Sequence, residues 1–131
     1  MDYLDRLSRF VVDTSCDDLS EEAIMAVRNV TLDTVGAIIA GSHESENADF
    51  AQTMSKRSGP GTATILGHGL TAEPMMATLV NSTAGVALEM DEGNRFGGGH
   101  PAIHTLPGAL AVAEEMGASG RSFIEAVLVG Y

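Results

Sequence analysis

The stretch from Ser20 to Gly41 constrains the fold of this chain more than any other feature. Asp18 or Ser20 can cap a helix whose first turn carries two glutamates, as the helix dipole prefers. Apolar side chains then recur every three or four residues, and small residues among them permit close contact with a second helix. The pattern predicts a long, largely buried helix that ends at Gly41. The periodic positions are Ile24, Val27, Thr31, Val35, Ile38 and Ile39.

Residues 2–14 form the first of several shorter predicted helices. Their apolar side chains fall on one face, opposite aspartates and arginines, so we expect this face to pack against the rest of the chain. The apolar positions are Leu4, Leu7, Phe10 and Val11.

Glycine and proline breaks divide the remainder of the chain into further helices. A polar turn precedes the third helix, Thr71 caps the fourth, and Pro107 is expected in the first turn of the fifth. The predicted spans are 48–57, 75–90, about 105–116 and 122–131, with the polar turn at 44–47. A β-branched segment at 62–66 is the single short extended stretch, and no partner strand is evident. The predicted fold class is therefore all-α, a helical bundle with one short extended segment.

The composition agrees with one globular domain. A chain of 131 residues that is 44% hydrophobic can bury a core. Its formal net charge of −11 arises from 7 Lys and Arg against 18 Asp and Glu. Nucleic acids and anionic membranes both need a basic surface, so neither is expected as a partner.

Cys16 is the only cysteine, so the fold cannot depend on an intramolecular disulfide. This fits a reducing compartment. The first residues lack the basic-then-apolar order of a secretion signal, and no apolar run approaches the roughly 18–20 residues needed to cross a bilayer. We therefore expect a cytoplasmic protein.

The most chemically distinctive segment covers residues 88–107. It places three carboxylates and a glycine run before His100, whose ring is held next to a proline. A carboxylate and an imidazole brought together can divide the acid and base roles near neutral pH, which suits proton transfer on an acidic substrate. The carboxylates are Glu89, Asp91 and Glu92.

Five groups of short motifs follow one another along the chain. They are Leu32-Asp33-Thr34-Val35-Gly36 with Ala40-Gly41-Ser42; Ala63-Thr64-Ile65-Leu66-Gly67; Asn81-Ser82-Thr83-Ala84 through Leu88-Glu89-Met90-Asp91-Glu92; His100-Pro101-Ala102 with Leu106-Pro107; and Gly117-Ala118-Ser119-Gly120-Arg121 with Val129-Gly130-Tyr131. In order and spacing they resemble the MmgE/PrpD family, which includes 2-methylcitrate dehydratase and cis-aconitate decarboxylase.

The resemblance implies that residues 1–131 are the N-terminal part of a helical domain. The rest of that domain and a smaller α+β lid domain would be absent, and the family's active site lies between the two domains. The chain would then carry one wall of the site and be inactive alone. Family members act on small di- and tricarboxylates without a metal or organic cofactor, and they are usually homodimers.

The resemblance places the family's acidic motif on Glu89, Asp91 and Glu92, and its His-Pro on His100. We expect His100, Asp91 and Glu89 to be catalytic. Asn94 and Arg95 are expected to bind substrate carboxylates, Arg95 because bidentate cations suit anionic ligands. The family often has aspartate at the position of Glu89 and threonine where this chain has Gly93, and the glycine-rich loop also departs from its pattern.

Each of these residues also has a structural interpretation. His100 can cap or hydrogen-bond a helix start, the carboxylates can cap the next turn and face water, and Asn94 is ordinary turn chemistry. Arg95 can be a solvated surface cation. His43 and His68 lie in turn-like settings and are expected to be exposed.

Three alternatives remain open about function. The leading hypothesis is a 2-methylcitrate dehydratase-like lyase, and a decarboxylase or epimerase of the same family is the first alternative. A truncated, non-enzymatic self-association module is the second. A metal site is the third, although its spacing matches no strong metal signature, so no metal is expected. Its ligands would be Glu89, Asp91, His100 and His104.

Overall fold

The computed structural model describes residues 2–131 and confirms an all-α bundle with one short extended segment. A single 3-10 turn at Cys16–Asp18 links the first two helices. The helices are α1 (Tyr3–Asp13), α2 (Glu21–Ser42), α3 (Ser45–Ser58), α4 (Pro74–Val86), α5 (Pro101–Met116) and α6 (Gly120–Gly130), and the strands are β1 (Ala63–Ile65) and β2 (Leu70–Ala72).

Helix α4 lies at the centre of the bundle, where it packs against α2, α3 and α5, while α6 packs against α5 and α2. At the crossing of α2, α4 and α5, the buried side chains of Ile38, Ala84 and Ile103 form one core cluster. Glycine is required where α2 meets α4, because a Cβ on Gly41 would lie 2.0 Å from the backbone oxygen of Ala84. Gly41 was expected to end α2, but it lies inside the helix and permits this contact.

Replacing Gly41 by alanine is expected to destabilise the fold by about 1–3 kcal/mol, because the added methyl forces α2 and α4 apart. Gly36→Ala is the matched control in the same helix, since a Cβ there meets nothing within 4 Å. That change is expected to stabilise by about 0.5–1 kcal/mol through helix propensity. Urea unfolding followed by circular dichroism measures both, and equal effects of the two substitutions would contradict the proposed close contact.

The extended segment does have a partner strand. β1 pairs antiparallel with β2, with Ala63 opposite Ala72. Thr71 therefore lies in a strand, and the carboxylate of Glu73 caps α4 instead by accepting from the backbone N–H groups of Met75 and Met76. The prediction of a Thr71 cap is wrong because a two-stranded pairing uses that part of the backbone.

Several predicted helix boundaries also differ from the structure. α3 begins at Ser45, within the expected polar turn, and α4 ends at Val86, before the expected end at 90. α5 begins at Pro101, about one turn before the expected start, so Pro107 lies inside this helix and is buried. Proline suits the first helical position because its missing N–H needs no partner there, and Pro101 takes that position.

Two predicted packing surfaces are not covered in this chain. None of the residues of α1 is buried, whereas the following 3-10 turn contacts α6. The backbone N–H of Cys16 in that turn donates to the Glu125 carboxylate at 2.7 Å. Only five of the 22 residues of α2 are buried, and Leu32 is 75% exposed. The expectation of a largely buried α2 is therefore wrong for the described residues.

By length and composition alone, α2 could cross a membrane, contrary to the expectation that no segment would reach this threshold. Core helices of soluble proteins and signal sequences pass the same test, so the finding is weak evidence by itself.

Candidate active site

Residues 87–99 connect the end of α4 to the start of α5 in a closed loop. The backbone N–H of Asn94 donates to the carbonyl of Gly99 at 2.8 Å, and its carbonyl accepts from the N–H of Gly98 at 2.9 Å. Gly98 and Gly99 have φ angles of +67° and +121°, a region that glycine adopts without a Cβ clash. The loop therefore returns the chain so that His100 directly precedes α5.

The Asp91 carboxylate and the His100 ring meet at this point. Nδ1 of His100 lies 3.1 Å from Oδ2 of Asp91 and 2.9 Å from the backbone oxygen of Glu92. Both partners are acceptors when the carboxylate is ionised, so Nδ1 carries the proton in the neutral ring and Nε2 is left with its lone pair. The Asp91 side chain is 5% exposed and the His100 side chain is 50% exposed. The arrangement is an imidazole oriented by a shielded carboxylate.

His100 occupies the N-cap position of α5, but its side chain makes no capping hydrogen bond. The Glu92 carboxylate takes that role by accepting from the backbone N–H of Ala102 at 3.2 Å. The expectation that Glu92 caps the following turn thus agrees with the structure. Glu92 is half-buried, however, and does not simply face water.

The second carboxylate oxygen of Glu92 accepts a hydrogen bond from the hydroxyl of Tyr131 at the end of α6. This bond raises the pKa of Tyr131, burial and the charge of Glu92 add to the shift, and a hydrogen bond with Asn94 opposes it. The phenol therefore keeps its proton at neutral pH and acts as the donor. The sequence patterns assigned no role to Tyr131; its place in the Val-Gly-Tyr motif was the available signal.

Glu89 is not joined to this pair, since no hydrogen bond links its side chain to Asp91 or His100 in the described chain. It is exposed, and its backbone has a φ of +52°, the only positive value for a non-glycine residue within 2–131. The left-handed region costs an L-residue roughly 1–2 kcal/mol. Its expected catalytic role stays a prediction.

The strain at Glu89 predicts an inverted stability order for two substitutions. Glu89→Gly is expected to be more stable than Glu89→Ala by about 1 kcal/mol, because both remove the carboxylate and only glycine relieves the positive φ. In ordinary helix positions the order is the opposite. Chemical unfolding of the two variants measures the difference, and an alanine variant as stable as the glycine variant would contradict a strained backbone.

The two expected substrate-binding residues have different surroundings. The side-chain oxygen of Asn94 accepts from the backbone N–H groups of Phe96 and Gly97, each at 2.9 Å. These hydrogen bonds stabilise a turn, which is the structural role given above as the alternative to substrate binding for Asn94. Arg95 is exposed and makes no ion pair within residues 2–131. Contact of either residue with substrate stays a prediction.

The other candidate ligands and nucleophiles are dispersed. No group of three or more His, Cys, Asp or Glu side chains suited to a metal ion occurs in the part of the chain that is described. His104 and His43 are exposed, as expected for His43, whereas His68 is half-buried and its Nε2 is shielded without a partner. Burial raises the pKa of the Cys16 thiol, and the charge of Glu125 adds to the shift.

Comparison with known proteins identifies relatives of this chain. A cis-aconitate decarboxylase-like protein, oryM, from Aspergillus oryzae is 23% identical over 95% of this chain and 27% of its own length. The cis-aconitate decarboxylase of Aspergillus terreus is 23% identical over 88% of this chain and 24% of its own. The chain thus spans about a quarter of the length of these curated relatives. No solved structure matches significantly. The profile of the MmgE/PrpD N-terminal domain matches residues 5–131, and the chain therefore belongs to the MmgE/PrpD family.

Proposed function

We propose that the full-length protein containing this chain is a lyase for small di- or tricarboxylates, in which His100 transfers a proton at the reacting carbon. The observation that carries the proposal is the contact of His100 Nδ1 with the shielded Asp91 carboxylate at 3.1 Å. That contact leaves Nε2 on a half-exposed ring, available to a substrate. A positioned base of this kind supports proton abstraction next to a carboxylate.

Dehydration of a 2-methylcitrate-like hydroxy acid is the first candidate reaction. Nε2 takes the proton from the carbon next to a carboxylate, the C–H electron pair forms the carbon–carbon double bond, and the neighbouring hydroxyl leaves as water after gaining a proton. Asp91 stabilises the imidazolium formed. We place the acid that protonates the hydroxyl in the part of the protein outside this chain.

Decarboxylation of cis-aconitate is the second candidate, and the names of the relatives favour it. Carbon dioxide leaves with cleavage of a carbon–carbon bond, and the electron pair remains on the substrate as an allylic carbanion. An imidazolium at His100 then protonates one carbon of this carbanion. The same pair of residues can support both reactions, because the proton moves between Nε2 and carbon in each.

The experiment is an assay of the full-length protein with 2-methylcitrate, citrate and cis-aconitate. Water elimination is followed by the absorbance of the unsaturated product and decarboxylation by release of carbon dioxide. Turnover of one substrate supports the proposal and assigns the reaction, whereas no turnover of any of the three overturns it. We expect dialysis against a chelator to leave turnover unchanged, since we propose no metal.

The charge of the chain predicts that it is inactive alone. With a net charge of −11, it offers Arg95 as the only cation in the loop that precedes His100, and a tricarboxylate needs several. We propose that lysines or arginines outside this chain complete the site. The purified chain is therefore expected to show no turnover of the three substrates, and a rate comparable to that of the full-length protein would contradict this division of the site.

Self-association without catalysis is the candidate from a different functional class. The exposed apolar side chains of α1 favour it, because uncovered apolar patches of this kind commonly mark interaction surfaces. The mass of the native gene product separates the two proposals: a product of about 131 residues favours association, and a several-fold longer one favours the lyase. For the longer protein, we propose a cytoplasmic homodimer, which light scattering and cell fractionation test.

A further inference from the structure

We propose that Glu92 and Tyr131 are positioning residues for His100, which hold the segment carrying Asp91 and Glu92 against the ends of α5 and α6. This inference deepens the proposed function and rests on it for its effect on turnover. Its effect on the ring of His100 can be measured independently of any substrate.

Glu92 makes three contacts with different parts of the chain. Its backbone oxygen lies 2.9 Å from Nδ1 of His100, and one carboxylate oxygen accepts from the N–H of Ala102 at 3.2 Å. The other oxygen accepts from the hydroxyl of Tyr131. One residue therefore connects the imidazole, the start of α5 and the end of α6. Because Asp91 is the preceding residue, movement of Glu92 shifts both acceptors that face Nδ1.

The end of α6, which carries Tyr131, packs closely against α5. The hydroxyl of Thr105 in α5 donates to the carbonyl of Gly130 at 3.0 Å. A Cβ on Gly130 would lie 2.3 Å from Cγ2 of Thr105, so α5 and α6 approach as closely as glycine permits here. The backbone N–H of Tyr131 also donates to Val127 at 3.0 Å. The hydroxyl therefore reaches Glu92 from a helix end that is packed against α5.

Loss of the Tyr131 hydroxyl leaves one Glu92 oxygen without its protein donor. The carboxylate then turns toward water, and hydrogen bonds with water weaken its bond to the N–H of Ala102 at the start of α5. The segment of Asp91 and Glu92 moves with it, and both acceptors shift away from Nδ1 of His100. The proton then distributes between Nδ1 and Nε2, and molecules with the proton on Nε2 cannot accept one from substrate.

The experiment compares Tyr131→Phe and Glu92→Ala in the full-length protein, with Tyr3→Phe as the matched control. Tyr3 lies on α1 and is 72% exposed, so the same loss of a hydroxyl there is expected to change neither measurement. Glu92→Gln is the conservative variant, because its amide can accept from Ala102 and donate to the tyrosine oxygen.

Two quantities are measured for each variant. The first is the distribution of the proton in the neutral ring, from the imidazole nitrogen shifts of histidine-labelled protein, with His100→Gln used to assign the signal. We expect a mainly Nδ1-protonated ring in the native protein and a larger Nε2-protonated fraction in Tyr131→Phe and Glu92→Ala. The second quantity is turnover, measured as kcat and KM. We expect kcat to fall about 10-fold in Tyr131→Phe and about 100-fold in Glu92→Ala, while KM stays nearly unchanged. Glu92→Gln is expected to recover most of the kcat that Glu92→Ala loses.

If the proton distribution in the His100 ring is the same in Tyr131→Phe as in the native protein, the proposal is overturned, whatever happens to turnover. This variant also keeps the test decisive if Glu92→Ala does not fold, because it removes only the hydroxyl of a residue that is 44% exposed. If the proton distribution in the ring changes but kcat does not, the result supports positioning by Glu92 and Tyr131. The same result contradicts the role of His100 in the proposed function. The two failures are therefore distinguishable.

Discussion

Replacement of His100 by alanine in the full-length protein is expected to lower kcat by about 100- to 10,000-fold, the range that a positioned general acid or base contributes. The ring accepts only at Nε2 when Asp91 and the Glu92 carbonyl hold the proton on Nδ1, and alanine has no group that can transfer a proton. The fold should be retained, because the His100 side chain is half exposed and makes no helix-capping bond. Steady-state kinetics and circular dichroism measure the two effects.

His104→Ala is the matched control for this change. His104 lies in the first turns of α5 and is exposed, and it makes no ion pair in the described part of the chain. Its loss is expected to alter kcat by less than about twofold, in line with the small effects of most surface substitutions. Equal kinetic effects at His100 and His104, or full turnover of His100→Ala, would remove His100 from the mechanism.

Replacement of Asp91 by asparagine is expected to lower kcat by about 100- to 10,000-fold, although the new side chain has nearly the same shape. An amide that turns its NH2 toward Nδ1 favours the ring with its proton on Nε2, which then cannot act as a base. In the Ser-His-Asp triad of serine proteases, the same change of the orienting aspartate lowers kcat by about 10,000-fold, which sets the upper end of the expected range.

The Asp91 prediction is tested by a double-mutant cycle with His100→Ala. If Asp91 acts through the imidazole, the double variant is expected to be no slower than His100→Ala alone, because groups that act as a unit are not additive. Asp49→Asn, at an exposed position of α3, is the control for loss of a carboxylate. Multiplied losses in the double variant would show that Asp91 acts independently of His100.

Much of this fold was predictable because it depends on local order. Amphipathic spacing along α2 and the glycine and proline breaks predicted helices in the correct sequence, and the prediction of an all-α bundle is confirmed. The boundaries of the helices were harder to predict from the sequence. Pairing of β1 with β2 moved the cap of α4 from Thr71 to Glu73, and this depends on a contact between segments that short-range patterns do not reveal.

The candidate site likewise has features that the sequence predicted and features that only the packing of the helices shows. The acidic run and the His-Pro motif made Asp91 and His100 candidates from the sequence, and the structure places the two side chains in contact. Glu89 belongs to the same motif, but it is exposed, has a left-handed backbone conformation and makes no hydrogen bond to the pair in the described chain. Tyr131 lies 39 residues from Glu92 along the chain, so only the packing of α6 against α5 brings the two together.

Periodicity, breaks and motifs lie among neighbouring residues, so the sequence alone was enough to predict the helical class, the family and the candidate imidazole and carboxylate. The packing of distant segments was needed to show which nitrogen of His100 is available, which carboxylate faces it and which residues contact the loop. Short-range patterns do not contain these distances, because they arise where helices pack together, as in the close approach of α6 to α5 at Gly130.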